Sequence, residues 1–339
     1  MNVIVVLSIS GCKDYQPAVE EQEQTKTEIK IGVAVYDAED TFVQTVYDVM
    51  QEYAKREEGA GVAQLTFKIA AAENNQEIQN KQIDTFINEQ YSAIAVNIVD
   101  RSQASTIINK AQRANIPLVF FNREPVPQDM AIWDKVYYVG AKAEQSGKMQ
   151  AEILINAVEA GVDVDANKDG LIQYVMLEGE PGHQDAILRS YYSIGVLEES
   201  GYKLENLASD TGMWRKDIAK EKMSRWLDEF GKQIEVVIAG NDEMALGAIE
   251  IIEEKGCFDG EHTIRVIGVD GLEPAVTAIK EDKMLGTVFN NADKQAEAIL
   301  AQIYTLVTDT EPKIIKNAEY EEKCFHTPYE IIDKNTLNE

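Results

Sequence analysis

From Glu28 onward, short apolar runs alternate with amphipathic stretches of helical period. The segments "IKIGVAV" (29–35), "LTFKIA" (65–70), "AIAVNI" (93–98) and "LVFF" (118–121) are apolar through most of their length, as strands covered on both faces must be. Between the first two lies "TFVQTVYDVMQEYAKR", in which Val46, Val49, Met50 and Tyr53 recur on one helix face. The second half repeats the rhythm with "LIQYVML" (171–177), "EVVIAG" (235–240), "IRVIGV" (264–269) and "LGTVF" (285–289). Most of these runs are followed by a helical stretch such as "NDEMALGAIEIIEEKG". The alternation predicts an α/β protein with parallel sheets flanked by helices, in two units of similar size with no Pro/Ser linker between them.

In such sheets ligands bind at the carboxyl ends of the strands. There the chain places "VYDAEDTF", "VNIVD", "EGEPGHQDAILR", "AGNDEM", "GVDG" and "VFNN", so nearly every strand delivers an Asp, Asn, His or Arg. This concentration predicts one polar pocket between two lobes. Taken singly, Asn241 and Asp242 suit helix N-caps better than ligand contacts. Capping explains less well His183, Asp185 and Arg189, which span one helix start and its first turn.

With 339 residues there is length for two domains, and a formal net charge of -27 argues against nucleic acid as a partner. No strand-to-helix turn carries a dinucleotide or P-loop glycine pattern, and neither a Gly-x-Ser-x-Gly elbow nor a zinc spacing is present. His183 with Asp185 has the makings of a general acid and base, and paired carboxylates can hydrolyse glycosides. Three histidines and no nucleophile motif weigh against an enzyme.

The stretch "DVDANKDGLIQY" (163–174) reads like the first half of an EF-hand loop: Asp165, Asn167, Asp169, Gly170, the Leu171 carbonyl and Gln173. The twelfth position holds Met176 where that loop needs Glu. The loop is therefore either a polar Asx-rich turn or a cation site completed by a distant carboxylate. At the other end, "MNVIVVLSISGCKDY" has the length and small-residue ending of an export signal, although no Lys or Arg precedes the apolar run. "ISGC" resembles a lipobox, making residues 1–12 a signal with Cys12 lipidated, and residues 13–27 a polar tether; a plain apolar tail is the alternative. Cys257 and Cys324 are open to pairing or to remaining thiols.

The motifs "VYDAEDTF", "NNQEIQNKQID", "AVNIVD", "VFFNREP", "YYVG", "DANKDGLIQ", "EGEPGHQDA", "DTGMW", "IEVVIAGNDEMALGA", "GVDG" and "GTVFNNADKQA" together closely resemble the bacterial galactose/glucose-binding proteins. These are extracytoplasmic receptors of sugar ABC transporters with the type I periplasmic-binding-protein fold. The resemblance implies two Rossmann-like lobes with parallel sheets joined by three hinge strands. It places the amino-terminal lobe at 28–115 plus 291–325 and the carboxyl-terminal lobe at 116–290 plus 326–339, with crossings near 115–117, Asn290 and 325–329.

It further implies a hexopyranose site for D-glucose and D-galactose. Tyr36, Asp40, Phe42 and Asn97 would come from the first lobe, and His183, Asp185, Arg189, Trp214, Asn241, Asp270 and Asn290 complete the set. Phe42 and Trp214 would cover opposite sugar faces, since a pyranose offers C–H bonds to an aromatic surface. Their other readings are core and helix interface. Asp40 would accept the C4 hydroxyl in either epimer, and Asn97 would bond ring hydroxyls. Resemblance also supplies the missing calcium ligand, Glu235, so that Asp165, Asn167, Asp169, the Leu171 carbonyl, Gln173 and Glu235 form a structural Ca2+ shell. The implied partners are an ABC permease with its ATPase, and the implied state a monomer. A sugar-sensing chemoreceptor component and a receptor for another monosaccharide remain alternatives. A sugar-responsive repressor of the same fold lacks its basic helix-turn-helix here.

Overall fold

The computed structural model describes residues 27–59, 63–257, 263–309 and 319–338. The lipobox with Cys12 and residues 13–26 of the tether lie outside them. In chain order the elements are β1 (Thr27–Val35), α1 (Thr41–Gly59), β2 (Ala63–Ala71), α2 (Gln76–Asn88), β3 (Ala93–Val96), α3 (Ala104–Ala114), β4 (Leu118–Phe121), the single turn α4 (Pro127–Met130) and β5 (Val136–Gly140). There follow α5 (Ala143–Glu159), β6 (Ile172–Glu178), α6 (Gln184–Glu199), β7 (Leu204–Thr211), α7 (Lys216–Glu229), β8 (Val236–Ala239), α8 (Asp242–Glu254), β9 (Arg265–Asp270), α9 (Glu273–Lys280) and β10 (Gly286–Asn290). The chain ends with α10 (Ala292–Thr308), β11 (Glu319–Glu321), β12 (Cys324–His326) and β13 (Tyr329–Asp333).

These strands form two sheets, ordered β11-β12-β5-β4-β3-β1-β2 and β13-β10-β9-β8-β6-β7. All pairings are parallel except the edge pairs β11–β12 and β10–β13. Successive strand residues feed opposite faces, which is why the central strands are apolar throughout. Phe121 packs with Val33, Val46 and Ile299, whereas Phe120 packs with Ala34, Ile94 and Ile107. In the second sheet Leu177 and Val237 lie on one face, and Met176, Val236 and Ile238 on the other. Cys257 and Cys324 form no disulfide; one follows α8 of the second lobe and the other lies in β12 of the first sheet.

The first lobe extends further along the chain than the boundary at 115/116 expected from sequence. β4 pairs in parallel with β3 and β5 with β4, so residues through Gly140 belong to the first sheet. Extending an existing sheet buries the fully apolar β4 on both faces, which a hinge segment at 115–117 would leave half exposed. The chain first crosses between Gly140 and α5, returns after Asn290, and crosses again between β12 and β13. The crossings lie side by side: the Thr327 backbone N–H donates to the Gly140 carbonyl at 2.8 Å, and Asn290 pairs with Tyr329.

Candidate interlobe binding site

The site grows from the places where strands end and helices begin. Asp40 accepts the Val43 N–H at 2.8 Å at the start of α1. His183 Nδ1 accepts the Asp185 N–H at 3.1 Å as the N-cap of α6, and Asn241 Oδ1 accepts the Met244 N–H at 3.0 Å as the N-cap of α8. Capping and pocket lining are thus combined in the same side chains, because a parallel strand and the following helix both aim their polar ends at the cleft.

A cavity of about 40 Å³ lies between the lobes, well below the ~300–1,000 Å³ usual for small-molecule sites. Nine of the eleven residues expected to bind sugar line it: Asp40, Phe42, His183, Asp185, Arg189, Trp214, Asn241, Asp270 and Asn290. Asn122 and Arg123, at the end of β4, line it as well. Tyr36 stands behind Asp40, donating its hydroxyl to Oδ2 at 2.6 Å. Burial first, then the Asp40 charge, pushes this phenol far above its ordinary range, which keeps it a donor. Asn97 is not brought to the cavity. Fully buried, it gives both amide hydrogens to the Phe121 carbonyl and Asn122 Oδ1, each at 3.1 Å, and so fixes the end of β4.

The second lobe supplies the other wall. His183 accepts at Nδ1, so its remaining proton sits on Nε2. Burial, then the Arg123 and Arg189 charges, holds this imidazole well below its usual pKa and therefore neutral. Arg189 is anchored by Ser146 Oγ at 2.9 Å, by the Gly240 carbonyl and by Tyr329 Oη at 3.5 Å. The Trp214 indole lies edge-on to His183, with ring centres 5.3 Å apart, over a glycine floor. A Cβ on Gly179 would come within 2.0 Å of that indole, so only glycine permits the approach.

Three buried acids underlie this wall. Burial pushes Asp185 up to about 6, against the pull of Arg189. It raises Asp270 well above the carboxylate range, with Asp242 adding to the effect. Asp242 is pushed up to about 7 although it accepts from Thr287 Oγ1 at 2.7 Å and from the Leu272 N–H at 2.9 Å. Carboxyls and amides of this kind both donate and accept, as each hydroxyl of a polyol requires.

Side-chain contacts across the cleft hold the lobes closed. Arg123 pairs with Glu180 at 2.6 Å, Gln184 donates to Glu124 at 3.1 Å, Arg215 pairs with Glu39 at 2.7 Å and Thr41 donates to Glu243 at 3.2 Å.

The 165–173 loop lies away from the cleft, between α5 and β6. Asp165 accepts the Asp169 and Gly170 N–H groups at 3.2 and 3.0 Å, and Gly170 has φ of +84°. Glu235, which precedes β8 and is 2% exposed, accepts the Asn167 and Gln173 N–H groups at 3.3 and 3.0 Å. Asn167 and Gln173 both donate to Asp169 Oδ2, at 3.0 and 2.8 Å. Burial, with Asp165 nearby, raises the Glu235 pKa. Among the described residues no three His, Cys, Asp or Glu side chains gather closely enough to hold a metal, and Asn167 Nδ2 also donates to Gln173 Oε1 at 3.2 Å. Met176, within β6, packs in the core.

A family model described as a periplasmic binding protein domain matches residues 31–311. The chain belongs to the periplasmic binding protein family. Within it, this periplasmic binding protein is 35% identical over 311 residues, 91% of each chain, to the D-galactose/methyl-galactoside binding periplasmic protein MglB of Haemophilus influenzae. It is 30% identical to a xylitol-binding protein of Mycolicibacterium smegmatis over 84% of its own length and 74% of that chain. Among solved structures, an ABC transporter solute-binding protein of Bacillus halodurans with bound myo-inositol superimposes with a TM-score of 0.74 at 28% identity, covering 93% of this chain and 98% of that one. One from Actinobacillus succinogenes with bound D-allose shares the fold, with a TM-score of 0.75 at 20% identity over 92% and 99% of the two chains.

Proposed function

We propose that this periplasmic binding protein is an extracytoplasmic sugar receptor that takes D-galactose and D-glucose into the interlobe cavity and delivers them to an ABC transporter. The observation that carries the reading is the convergence of polar side chains from both lobes, with one aromatic from each, on one interlobe cavity. Phe42 and Trp214 suit the apolar faces of a pyranose, and Asp40, held by Tyr36, suits the C4 hydroxyl of either epimer. The relationship to the galactoside-binding protein supports the choice of hexose. Ligand contacts to both lobes favour the closed state, and a permease that recognises closure would thereby sense the sugar. ATP hydrolysis belongs to a separate protein. Export and lipidation at Cys12 form part of the same proposal.

The 165–173 loop with Glu235 is proposed as a structural calcium site. Its oxygens come from residue types suited to Ca2+, and no ion pair among the described residues neutralises Asp165, Asp169 or Glu235. Turning the Asn167 and Gln173 amides by half a turn exchanges their nitrogens for oxygens, an assignment that hydrogen-bond networks alone decide.

Thermal unfolding with a panel of D-galactose, D-glucose, D-ribose, D-allose, xylitol and myo-inositol tests the sugar assignment. The two hexoses should raise the melting temperature by several degrees at saturating concentration. A rise with inositol or xylitol alone would reassign the ligand within the polyols, and no rise with any would remove the sugar reading.

A further inference from the structure

We infer that Asp242 is a positioning residue for the ligand: its carboxyl clamps the turn after β9 and so holds Asp270 in the strained backbone conformation from which it lines the cavity. The inference rests on the sugar-receptor reading and deepens it. Asp270 ends β9 with φ of +125°, beyond the left-handed well that Asp tolerates. Gly271 follows with φ of +76°, so close to Phe289 that an added Cβ would collide with its ring. A conformation of this kind persists only where its surroundings over-determine it.

Asp242 supplies the constraint. It is the first residue of α8 and fully buried, yet the helix start is capped by Asn241, and both carboxyl oxygens reach away from α8. One accepts the Leu272 N–H at 2.9 Å, and the other accepts the Thr287 hydroxyl at 2.7 Å. Thr287 Oγ1 accepts the Gly271 N–H in turn, at 3.2 Å. The two peptide N–H groups that follow Asp270 are therefore fixed by a single carboxyl. Gly268 opens the way for it, since a Cβ there would strike Asp242 Oδ1 as the side chain passes over β9. An apolar side chain at 242 would avoid the cost of burying a carboxyl, so stability alone does not account for an acid at this position. Through it the α8 start, with Asn241, and the β9 end, with Asp270, are set as one wall.

Calorimetric titration and thermal unfolding of the full chain test the inference, using the tightest-binding of D-galactose, D-glucose, xylitol and myo-inositol. Asp242→Ala should weaken binding about tenfold or more, because Asp270 loses its aim. Asp242→Asn removes the same charge but keeps an acceptor for the Leu272 N–H and a polar group for Thr287, and should bind within about threefold of the wild type. In the ligand-free protein, hydrogen exchange at Gly271 and Leu272 should quicken in the Ala variant and stay slow in the Asn variant. Should the Ala variant fail to fold, Thr287→Val, which cuts the link to Gly271, should show the same contrast against Thr287→Ser. Equal weakening by Asn and Ala would assign the effect to charge, and unchanged affinity in the Ala variant would leave Asp242 a role in folding alone. Either result overturns the inference, while binding by the wild type spares the receptor reading. A wild type that binds nothing in the panel would overturn both.

Discussion

Asp242 is a buried acid held beneath the site, and its energetics follow from where its proton resides. Its pKa is pushed from 3.8 up to about 7, chiefly by burial. Between those values the folded protein keeps a proton that the unfolded chain has released, so the stability contributed by this group falls as pH rises from about 4 to about 7. Asp242→Asn cannot ionise and should gain on the wild type by roughly 1–4 kcal/mol across that window. Urea unfolding at both ends of the window measures the difference; a constant gap would contradict the assignment. Gly179 makes a second residue-scale case. Gly179→Ala places a methyl against the Trp214 indole, and ligand affinity should fall at least tenfold while the melting temperature changes little. Titration and calorimetric scanning of the same sample separate these effects. The ends of apolar runs lead to Asp40, Asn241, Asp270 and Asn290, all of which line the interlobe cavity, while their sugar roles come from the resemblance alone. The same rule applied to "LVFF" leads to Asn122 and Arg123, which line the cavity outside the expected set. Asn97 obeys the rule too, yet its amide is spent on the backbone at the end of β4, a commitment that only tertiary packing decides.

At the scale of elements, the runs read from sequence as strands coincide with the buried parallel strands of both sheets, except "LTFKIA", which forms the half-exposed edge strand β2. The strands that no apolar run marks lie mainly at edges. β7, "LENLASDT", is half exposed and carries polar residues on an outer strand of its sheet, so neither a continuous apolar run nor a clean alternation marks it. β12 and β13 are short and join different lobes, which sequence periodicity cannot express. The lobe boundary at 115/116 that the resemblance implies departs from the sheet for a similar reason, since pairing between β3 and β4 is a non-local fact. The 165–173 loop, proposed as a calcium site, belongs to this scale because it ties the entry of β6 to the residue before β8. Chelation should lower the melting temperature of the wild type by several degrees at saturating prior calcium, and Glu235→Gln should abolish the response. An unchanged melting temperature on chelation would leave the loop a hydrogen-bonded turn.

Across the whole molecule, two kinds of contact close the cleft and they should differ in weight. The Arg215–Glu39 pair is exposed, 44% and 73% by side chain, so solvent screens it and Arg215→Ala should change sugar affinity by no more than about threefold. The Arg123–Glu180 pair is largely buried, 6% and 23%, and is screened far less. Titrations at low and high salt distinguish them, with the exposed pair losing its small effect first. The central claim is that residues from both lobes form one hexose site, and a calorimetric titration of the full chain with D-galactose tests it most directly. The account predicts saturable one-site binding that disappears in Asp40→Ala, from the first lobe, and equally in Asp270→Ala, from the second. Absence of heat with the wild type, or binding that survives both substitutions, would contradict it.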